Sequence, residues 1–374
     1  MIRSFLVISD SYKGCLTSSR AADIIKSSIL KIIPSASVRT FSVADGGEGT
    51  VDSFLSSLNG EEIIVECKDA LFRDMKAKYA AFDDFAVIET ASCAGLTLVG
   101  DRKDVRNTTT FGIGEQIRDA LNRGFKRILL GLGGSATNDA GCGMASALGY
   151  RFFDSFGKQF IPTGGTLRDI AVIDRSQADK RIYDTEFIAM CDISNPLYGP
   201  EGAAFVFGPQ KGADRDDILI LDEGLRNFEA RSGMELDSVK GAGAAGGLGA
   251  GIVAFLDGKL KNGIDTILEM TGIVSEFPSY DLIITGEGSF DDQSLSGKVP
   301  IGIARKALKY HVPVIVICGS RKGRIESAYS EGVTAVFDIT EAPQPLSDAI
   351  DKAEENLAYT TENIIRLISL KDSR

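Results

Sequence analysis

Histidine is almost absent from this sequence, whose 374 residues include only His311. A triad with a histidine base, a zinc site with several histidines and an HExxH protease motif are therefore nearly excluded, because each depends on imidazole groups. His311 precedes Val312 and Pro313 at the start of a predicted strand, where we expect a structural role. Any general base in this protein should then be a carboxylate or a lysine.

Closely spaced cysteines and long apolar runs are also lacking. The six cysteines, at positions 15, 67, 93, 142, 191 and 318, form no CxxC pair, and we expect buried thiols in a reducing compartment. The apolar run before Asp10 is too short for a secretory signal, and no stretch approaches the roughly 18 apolar residues that span a bilayer. These absences predict a cytoplasmic protein.

Basic residues are outnumbered, since 41 Lys and Arg face 52 Asp and Glu, for a formal net charge of −11. Phosphate backbones and anionic membranes are held by clustered Lys and Arg, so this balance predicts neither a nucleic-acid nor a membrane partner. Glycine, by contrast, is abundant: 41 of 374 residues is about 11%, where about 7% is usual. The length predicts two or three domains, and self-association is left open.

Short apolar runs rich in Val and Ile alternate with longer amphipathic stretches, which is typical of an α/β protein with largely parallel strands. The predicted strands are 5–9, 38–43, 127–131, 186–191, 281–285 and 313–318. Helices are predicted over 19–33, with a cap at Thr17 or Ser18, and over 109–123 and 216–231. A last helix is predicted from a buried stripe of Ile350, Ala353, Leu357, Thr361, Ile364 and Ile368.

Domain boundaries follow from where the clean strand–helix–strand patterns lie. Residues 1–44 and 275–374 carry such patterns, and we predict that together they form one Rossmann-like α/β domain with a parallel sheet. Residues 45–274 are predicted to form a second α/β domain inserted into the first. This inserted region mixes strands and helices with several Gly-rich turns, including 241–251.

Five predicted strand ends are followed by segments that combine glycine with carboxylates or hydroxyls. These segments are 10–14 (DSYKG), 45–50 (DGGEGT), 131–141 (GLGGSATNDAG), 192–197 (DISNPL) and 286–294 (GEGSFDDQS). Ligands of open α/β sheets bind outside the carboxyl ends of strands, where glycines let the backbone approach an anion and carboxylates can hold Mg²⁺. A tight turn with a helix cap is the alternative for any one loop. Five together indicate a phosphate and metal site.

Two short motifs suggest other nucleotide folds. Gly131-x-Gly133-x-x-Ala136 follows a predicted strand and fits the relaxed dinucleotide pattern, with Asp154 near the required distance at the end of 149–153, so a dehydrogenase stays an alternative. Gly241-x-Gly243-x-x-Gly246 fits the strict pattern but lacks a convincing strand before it. The run GKVP at 297–300 has Val299 in place of the Mg²⁺-binding hydroxyl of a P-loop, which disfavours a P-loop NTPase.

The strand-end segments together resemble the glycerate kinase family, in particular its class I bacterial members that make 2-phosphoglycerate. The matching segments are DSYKG, ADGGEGT, TTTFGIGE, GLGGSATNDAGCG, CDISNPLYGPEGAA, FGPQKGA, GAGAAGGLGAG and ITGEGSFDDQSLSGKVPIGIA, spread over residues 5–320. The resemblance implies two α/β domains facing a cleft and phosphorylation of D-glycerate by ATP with Mg²⁺. Ala140 departs from it where a second Gly is common, as do Thr110 where Ser is usual and Ser289 where Arg often follows the GEG.

Phosphoryl transfer requires anion binding, a metal and a base, and the strand-end residues are assigned accordingly. Asp45 is the expected base, Lys13 or Lys298 the cation that stabilises the transferring phosphoryl group, and Asp192 and Glu287 the Mg²⁺ ligands. The residues expected to bind substrate or nucleotide are Asp10, Ser11, Gly46, Gly47, Glu48, Gly133, Gly134, Ser135, Thr137, Asn138, Asp139, Asn195, Gly286, Gly288, Asp291, Gln293 and Ser294. A non-catalytic regulator that binds a nucleotide or sugar acid is the remaining alternative, and it would bind without turnover.

Overall fold

The computed structural model describes residues 2–12, 14–43, 46–295, 297–342 and 344–370, without the side chains of Asp292 and Gln293. The chain divides into two compact units. As far as they are described, the first unit comprises Met1–Asp45, Ser56–Leu58 and Asn262–Arg374, and the second comprises Gly46–Leu55 and Asn59–Lys261. The predicted boundaries after residues 44 and 274 stay a prediction.

The elements are numbered in chain order. The strands are β1 (Ser4–Ser9), β2 (Ser37–Ser42), β3 (Glu61–Lys68), β4 (Asp74–Ala81), β5 (Ala86–Glu89), β6 (Arg127–Gly131), β7 (Arg151–Phe153), β8 (Gln159–Phe160), β9 (Val172–Asp174), β10 (Glu186–Met190), β11 (Lys259–Lys261), β12 (Leu282–Phe290), β13 (Val314–Arg321) and β14 (Val333–Asp338). The α-helices are α1 (Ser18–Ile32), α2 (Thr50–Ser57), α3 (Ala91–Ala94), α4 (Leu96–Val99), α5 (Phe111–Asn122), α6 (Cys142–Ala147), α7 (Ala203–Phe207), α8 (Arg215–Ser232), α9 (Ala244–Leu256), α10 (Gly263–Thr271), α11 (Asp292–Leu295), α12 (Val299–Leu308), α13 (Glu326–Ser330), α14 (Leu346–Asp351) and α15 (Ala353–Ile368). Shorter 3-10 segments are Gly164–Asp169, Lys180–Asp184, Pro209–Lys211 and Ile273–Ser279. No described helix is long and apolar enough to cross a bilayer.

The first unit is built on a five-stranded sheet in the order β14-β13-β12-β1-β2, and all of its strand pairs are parallel. Strands from both ends of the chain share this sheet, as the sequence predicts. Its central strands are continuous apolar runs because both faces of a parallel sheet are covered. α1 and α15 pack against each other on this sheet, with Ile25 and Leu357 fully buried.

The second unit holds a six-stranded sheet in the order β11-β10-β6-β5-β4-β3. The pairs from β11 to β5 are parallel, whereas β4 pairs antiparallel with both β5 and β3. A small antiparallel sheet, β8-β7-β9, lies in the same unit. The chain is therefore an α/β protein with two mostly parallel sheets in separate units.

The predicted strands are confirmed to within three residues at each end, except that the strand predicted at 281–285 continues to Phe290. Thr17 is confirmed as the N-cap of α1, where its hydroxyl accepts a hydrogen bond from the Arg20 amide at 3.2 Å. One prediction is wrong, because Ile350 lies in α14 and not in the last helix. The predicted Gly-rich turn at 241–251 is found in its first part, where 241–243 form a turn and Ala245, Gly246 and Gly247 have left-handed backbone angles, and the regular helix of α9 begins only after them.

The prediction of buried thiols is confirmed for Cys67, Cys93, Cys142 and Cys318. It is wrong for Cys15, which is exposed in the turn after β1, and Cys191 is half-buried at the end of β10. All six are free thiols, as expected.

Candidate functional site

The residues assigned from the sequence are distributed over both units. The first unit carries Asp10, Ser11, Gly286, Glu287, Gly288, Asp291, Gln293, Ser294 and Lys298, and the second carries Gly46, Gly47, Glu48, Gly133, Gly134, Ser135, Thr137, Asn138, Asp139, Asp192 and Asn195. Lys13 and Asp45 lie outside the described residues. Each set is described within its own unit.

In the second unit, the segment after β6 meets the loop that begins at Gly46. The amide of Gly133 donates to the carbonyl of Gly46 at 2.9 Å. A Cβ atom on Gly133 would lie 2.4 Å from the Cα atom of Gly47, and one on Gly131 would lie 2.7 Å from the carbonyl oxygen of Gly46. Any larger residue would separate the two loops, so these glycines are required for contact between backbones.

The same loop is fixed on its other sides by backbone hydrogen bonds. The Ala136 amide donates to the Ala94 carbonyl at 2.8 Å, and the Leu96 amide donates to the Gly134 carbonyl at 2.7 Å. The Ala140 amide donates to the carbonyl of Gly246 at 3.1 Å. Gly246 has a φ of 69°, and a Cβ atom there would lie 2.0 Å from the carbonyl oxygen of Thr137. The Gly-rich start of α9 therefore packs against this loop, and its Gly-x-Gly-x-x-Gly spacing reflects packing.

Asp139 is fully buried and organises the turn into α6. Its carboxylate accepts hydrogen bonds from the Thr110 amide at 2.8 Å and the Thr110 hydroxyl at 2.9 Å. The amides of Gly141 and Gly143 donate to it at 3.2 Å each. Burial raises the pKa of this carboxyl, and these hydrogen bonds oppose the rise. The Thr109 hydroxyl donates a fifth hydrogen bond at 3.5 Å, so the carboxylate oxygens are already engaged within the unit and Asp139 supports the loop from inside.

Lys211, which was not assigned to the site, is a buried cation beside this loop and is only 3% exposed. Its ammonium group donates to the Thr137 carbonyl at 2.6 Å and to the Ser135 hydroxyl at 2.9 Å. Burial lowers the pKa of Lys211 to about 7, and the charge of Asp139 opposes that shift. The only sequence signal for this residue is the FGPQKGA segment, since a lysine in a polar loop is ordinarily solvated.

Thr137 and Asn138 present buried polar atoms that have no hydrogen-bond partner among the described residues. These atoms are the Thr137 hydroxyl oxygen and both the oxygen and the nitrogen of the Asn138 amide. Leaving a buried polar group unpaired costs about 1–3 kcal/mol, so such groups call for a ligand or an ordered water. Consecutive unpaired groups at a strand end are what a polar substrate would satisfy.

Glu89 is a second functional feature that the sequence analysis did not identify. It ends β5 and is 6% exposed, and its carboxylate accepts the amides of Gly49 at 2.8 Å and Val51 at 3.2 Å at the start of α2. Burial raises the pKa of Glu89. Glu48, which was assigned to the site, is exposed in the same turn. Glu89 thus fixes the turn at 46–49. No local sequence motif predicts this contact, because Glu89 lies 40 residues after Gly49 in the chain.

Asp192 and Asn195 follow β10, as predicted. The Asn195 side-chain amide donates to the Glu201 carbonyl at 2.8 Å, and its backbone carbonyl accepts the Gly243 amide at 3.1 Å. Asn195 therefore holds the 195–201 turn against the start of α9, while Asp192 lies half-buried beyond the strand end.

In the first unit, Asp10 and Gly286 are adjacent because β1 and β12 are neighbours in the sheet. The Asp10 amide donates to the Gly286 carbonyl at 2.8 Å, and the Asp10 carboxylate accepts the Ser11 amide at 2.7 Å. Glu287 was expected directly after a strand, which is wrong: β12 continues to Phe290 because its pairing with β13 runs on to Arg321. Glu287 is 5% exposed, and its charge contributes, after burial, to raising the pKa of Tyr12.

The segment between β12 and α12 is held by Ser294 and ends at Lys298. The buried Ser294 hydroxyl accepts the Asp291 amide at 3.1 Å and donates to the Ser289 carbonyl at 3.3 Å. Lys298 is half-buried at the N-cap of α12, with Pro300 in the first turn. Gly288 lies on β12 and Gln293 on α11.

The structure removes the dinucleotide-binding alternative. Asp154 lies in the turn between β7 and β8, where its carboxylate accepts the amides of Phe156 and Lys158 at 2.9 Å each. β7 belongs to the small antiparallel sheet and is not a neighbour of β6. A dinucleotide site needs its acidic residue at the end of the parallel strand that follows the glycine-rich turn, and Asp154 is not there.

Carboxylates suit Mg²⁺, which proteins hold through one or two of them together with substrate phosphates and waters. Within the described residues, no group of three or more His, Cys, Asp or Glu side chains could hold a metal ion by itself. Asp192 belongs to the second unit and Glu287 to the first. Each carries one carboxylate, a group whose oxygens can bind Mg²⁺.

Comparison with known proteins gives full-length matches. The sequence profile of the glycerate kinase family matches residues 5–369. The glycerate kinase of Halalkalibacterium halodurans is 42% identical over 372 residues, 97% of each chain. The glycerate 2-kinase of Escherichia coli K12 is 38% identical over 372 residues, 98% of each chain. A crystal structure assigned to glycerate kinase 2 of Salmonella typhimurium LT2 superposes with a TM-score of 0.85 at 36% identity and covers 100% of both chains.

Proposed function

The chain belongs to the glycerate kinase family, and from that premise we propose that it transfers the γ-phosphoryl group of ATP to D-glycerate. The observation that carries the proposal is the loop 133–139, where buried unpaired groups of Thr137 and Asn138 adjoin the buried ammonium group of Lys211. A small ligand with a carboxylate and hydroxyls offers both the acceptors and the donors that this loop lacks. The E. coli relative is named a glycerate 2-kinase, and 2-phosphoglycerate is the product we propose.

The chemical step forms a bond between the substrate hydroxyl oxygen and the γ-phosphorus and breaks the bond from that phosphorus to ADP. Asp45 is the proposed base that takes the hydroxyl proton, since no imidazole is available apart from His311 in an exposed turn. Lys13 and Lys298 are the proposed cations for the charge on the transferring group, which is spread over its oxygens. The remaining strand-end residues would orient the two substrates.

Mg²⁺ would be held by Asp192 and Glu287 together with ATP phosphate oxygens. Bound there, the ion neutralises charge on the phosphates. The proposed contacts of the first unit are Asp10, Ser11, Gly286, Gly288, Asp291, Gln293 and Ser294. Those of the second are Gly46, Gly47, Glu48, Gly133, Gly134, Ser135, Thr137 and Asn138. Asp139 and Asn195 support these contacts through the hydrogen bonds described above.

A coupled assay with ATP, Mg²⁺ and D-glycerate tests the proposal. Coupling product formation to enolase without phosphoglycerate mutase identifies the position of the phosphate, because only 2-phosphoglycerate is an enolase substrate. We expect turnover in that assay. D-lactate, which lacks the second hydroxyl, should release ADP far more slowly than D-glycerate when ADP formation is measured directly. Binding of ATP and D-glycerate without turnover would instead favour the regulator.

A further inference from the structure

Lys211 is held inside the second unit by the local geometry of its own turn. It ends the 3-10 segment Pro209–Lys211, where its amide donates to the Gly208 carbonyl at 2.9 Å. Gly212 follows with a φ of 95°, and a Cβ atom there would lie 2.7 Å from the Cβ atom of Lys103. The tight turn therefore directs the lysine side chain inward, where it is only 3% exposed.

Burying the ammonium group of Lys211 costs free energy. The groups that offset this cost therefore indicate what the lysine does. Removing a charged group from water costs several kcal/mol unless hydrogen bonds and an opposite charge compensate. Lys211 has two hydrogen bonds, to the Thr137 carbonyl and the Ser135 hydroxyl, and the nearby charge of Asp139 favours its protonated form. Both hydrogen bonds go to one loop, so the lysine acts on that loop.

The bonded atoms lie directly beside the unpaired groups. The Thr137 carbonyl precedes Asn138 in the chain, and a Cβ atom at position 246 would strike that same carbonyl oxygen at 2.0 Å. The carbonyl is thus fixed between Gly246 on one side and the Lys211 amine on another. Without the amine, the peptide that joins Thr137 to Asn138 loses its hydrogen-bond donor, and both side chains are free to reorient.

The unpaired groups also indicate which substrate they serve. Phosphate oxygens at neutral pH are mainly hydrogen-bond acceptors. A triphosphate would therefore offer no donor to the amide oxygen of Asn138, and the two negative partial charges would repel each other. D-glycerate carries two hydroxyl donors as well as a carboxylate, which match an amide and a hydroxyl. We propose that Lys211 is a positioning residue that holds Ser135 and Thr137 so that Thr137 and Asn138 bind D-glycerate. This inference rests on the proposed function.

The test is a steady-state comparison of wild type with Lys211→Met, which keeps an unbranched side chain one atom shorter and removes its donors. We expect the KM for D-glycerate to rise at least tenfold and the KM for ATP to change less than twofold. Lys158→Met, an exposed lysine of the same unit, is the matched control and should keep both constants. An unchanged KM for D-glycerate, or a rise in the KM for ATP alone, would overturn the inference.

Ser135→Ala removes one partner of Lys211 and keeps the lysine charge. It is the second test variant, for the case that Lys211→Met does not fold. We expect it to raise the KM for D-glycerate severalfold. The double variant should lose no more than Lys211→Met alone, because Lys211→Met already removes the Lys211–Ser135 hydrogen bond that Ser135→Ala removes. Additive losses would contradict a shared role. Wild type without D-glycerate turnover would refute the proposed function itself, whereas active wild type with an unaffected Lys211→Met variant would refute only this inference.

Discussion

The candidate residues of the two units are held in different ways. In the second unit, the loop 133–139 is fixed by buried charged side chains, Asp139 and Lys211, whose hydrogen bonds end on that loop or on Thr110, Gly141 and Gly143. In the first unit, the segment from Gly286 to Lys298 is fixed by strand pairing and by the hydroxyl of Ser294. Buried charges respond strongly to substitution and to pH, whereas strand pairing does not. Changes at Asp139 and Lys211 should therefore alter stability more than changes in the segment from Gly286 to Lys298.

The largest expected effect is the pH dependence of stability that Lys211 introduces. Burial lowers its pKa to about 7 in the folded protein, against about 10.4 in an unfolded chain. As pH rises, the folded state therefore loses this proton before the unfolded state does. The free-energy cost of the buried charge is fully present below pH 7 and decreases as pH rises toward 10. Relative to Lys211→Met, wild type should gain about 4 kcal/mol in unfolding free energy over that range.

Denaturant titrations of both proteins at pH 6.5, 8 and 9.5 measure this difference. Comparing wild type with the variant cancels the contributions of the other titrating groups. If the difference in unfolding free energy between wild type and variant stays constant with pH, the ammonium group is not desolvated. The two units would then differ less in how their candidate residues are held.

Asp139→Asn should have the next largest effect, lowering the free energy of unfolding by about 3 kcal/mol. The amide cannot accept all five hydrogen bonds that the carboxylate accepts, and it leaves Lys211 without its opposite charge. Asp154→Asn is the matched control, since that carboxylate also accepts two backbone amides but lies in an exposed turn. Urea denaturation should show less than about 1 kcal/mol of loss for the control.

Asp45→Asn is expected to change turnover and not stability. If Asp45 is the base, turnover should fall by about a hundredfold or more, which corresponds to about 2.7 kcal/mol of activation free energy. Its melting temperature should stay near that of wild type, in contrast to Asp139→Asn. Near-normal turnover by the folded variant in the enolase-coupled assay would remove Asp45 from this role.

Local sequence patterns predict much of this fold because the central strands are continuous apolar runs. β1 and β6 are found where their Val, Ile and Leu residues indicate. β3 and β4 are missed, since they form the antiparallel edge of the sheet and carry exposed charged residues such as Glu61 and Lys76. Parallel pairing buries both faces, whereas edge pairing leaves a mixed pattern that resembles a surface loop.

The candidate site is less predictable than the fold. Glycines and hydroxyls after β6 mark the loop, but Glu89 and Lys211 act across 40 and 74 residues of sequence. Whether a charged side chain is solvated or buried depends on tertiary packing, which neither composition nor spacing encodes. The glycines at the start of α9 match a dinucleotide-binding motif in the sequence. In the structure they instead allow the backbone of Thr137 and Ala140 to approach that of α9 closely.

The smallest expected effect concerns Ala140, which precedes the turn into α6. Ala140 has a φ of 51°, in the left-handed region, which costs a residue with a Cβ atom about 1 kcal/mol. Ala140→Gly relieves that strain but gives the unfolded chain more freedom, worth about 0.4–1 kcal/mol in the opposite direction. The two contributions nearly cancel, so the melting temperature should change by no more than about 3 °C. A large loss of stability would show that the Ala140 methyl group, fully buried in the core of the second unit, contributes more packing energy than its backbone strain costs, and that this loop is held by apolar contacts as firmly as by its buried charges.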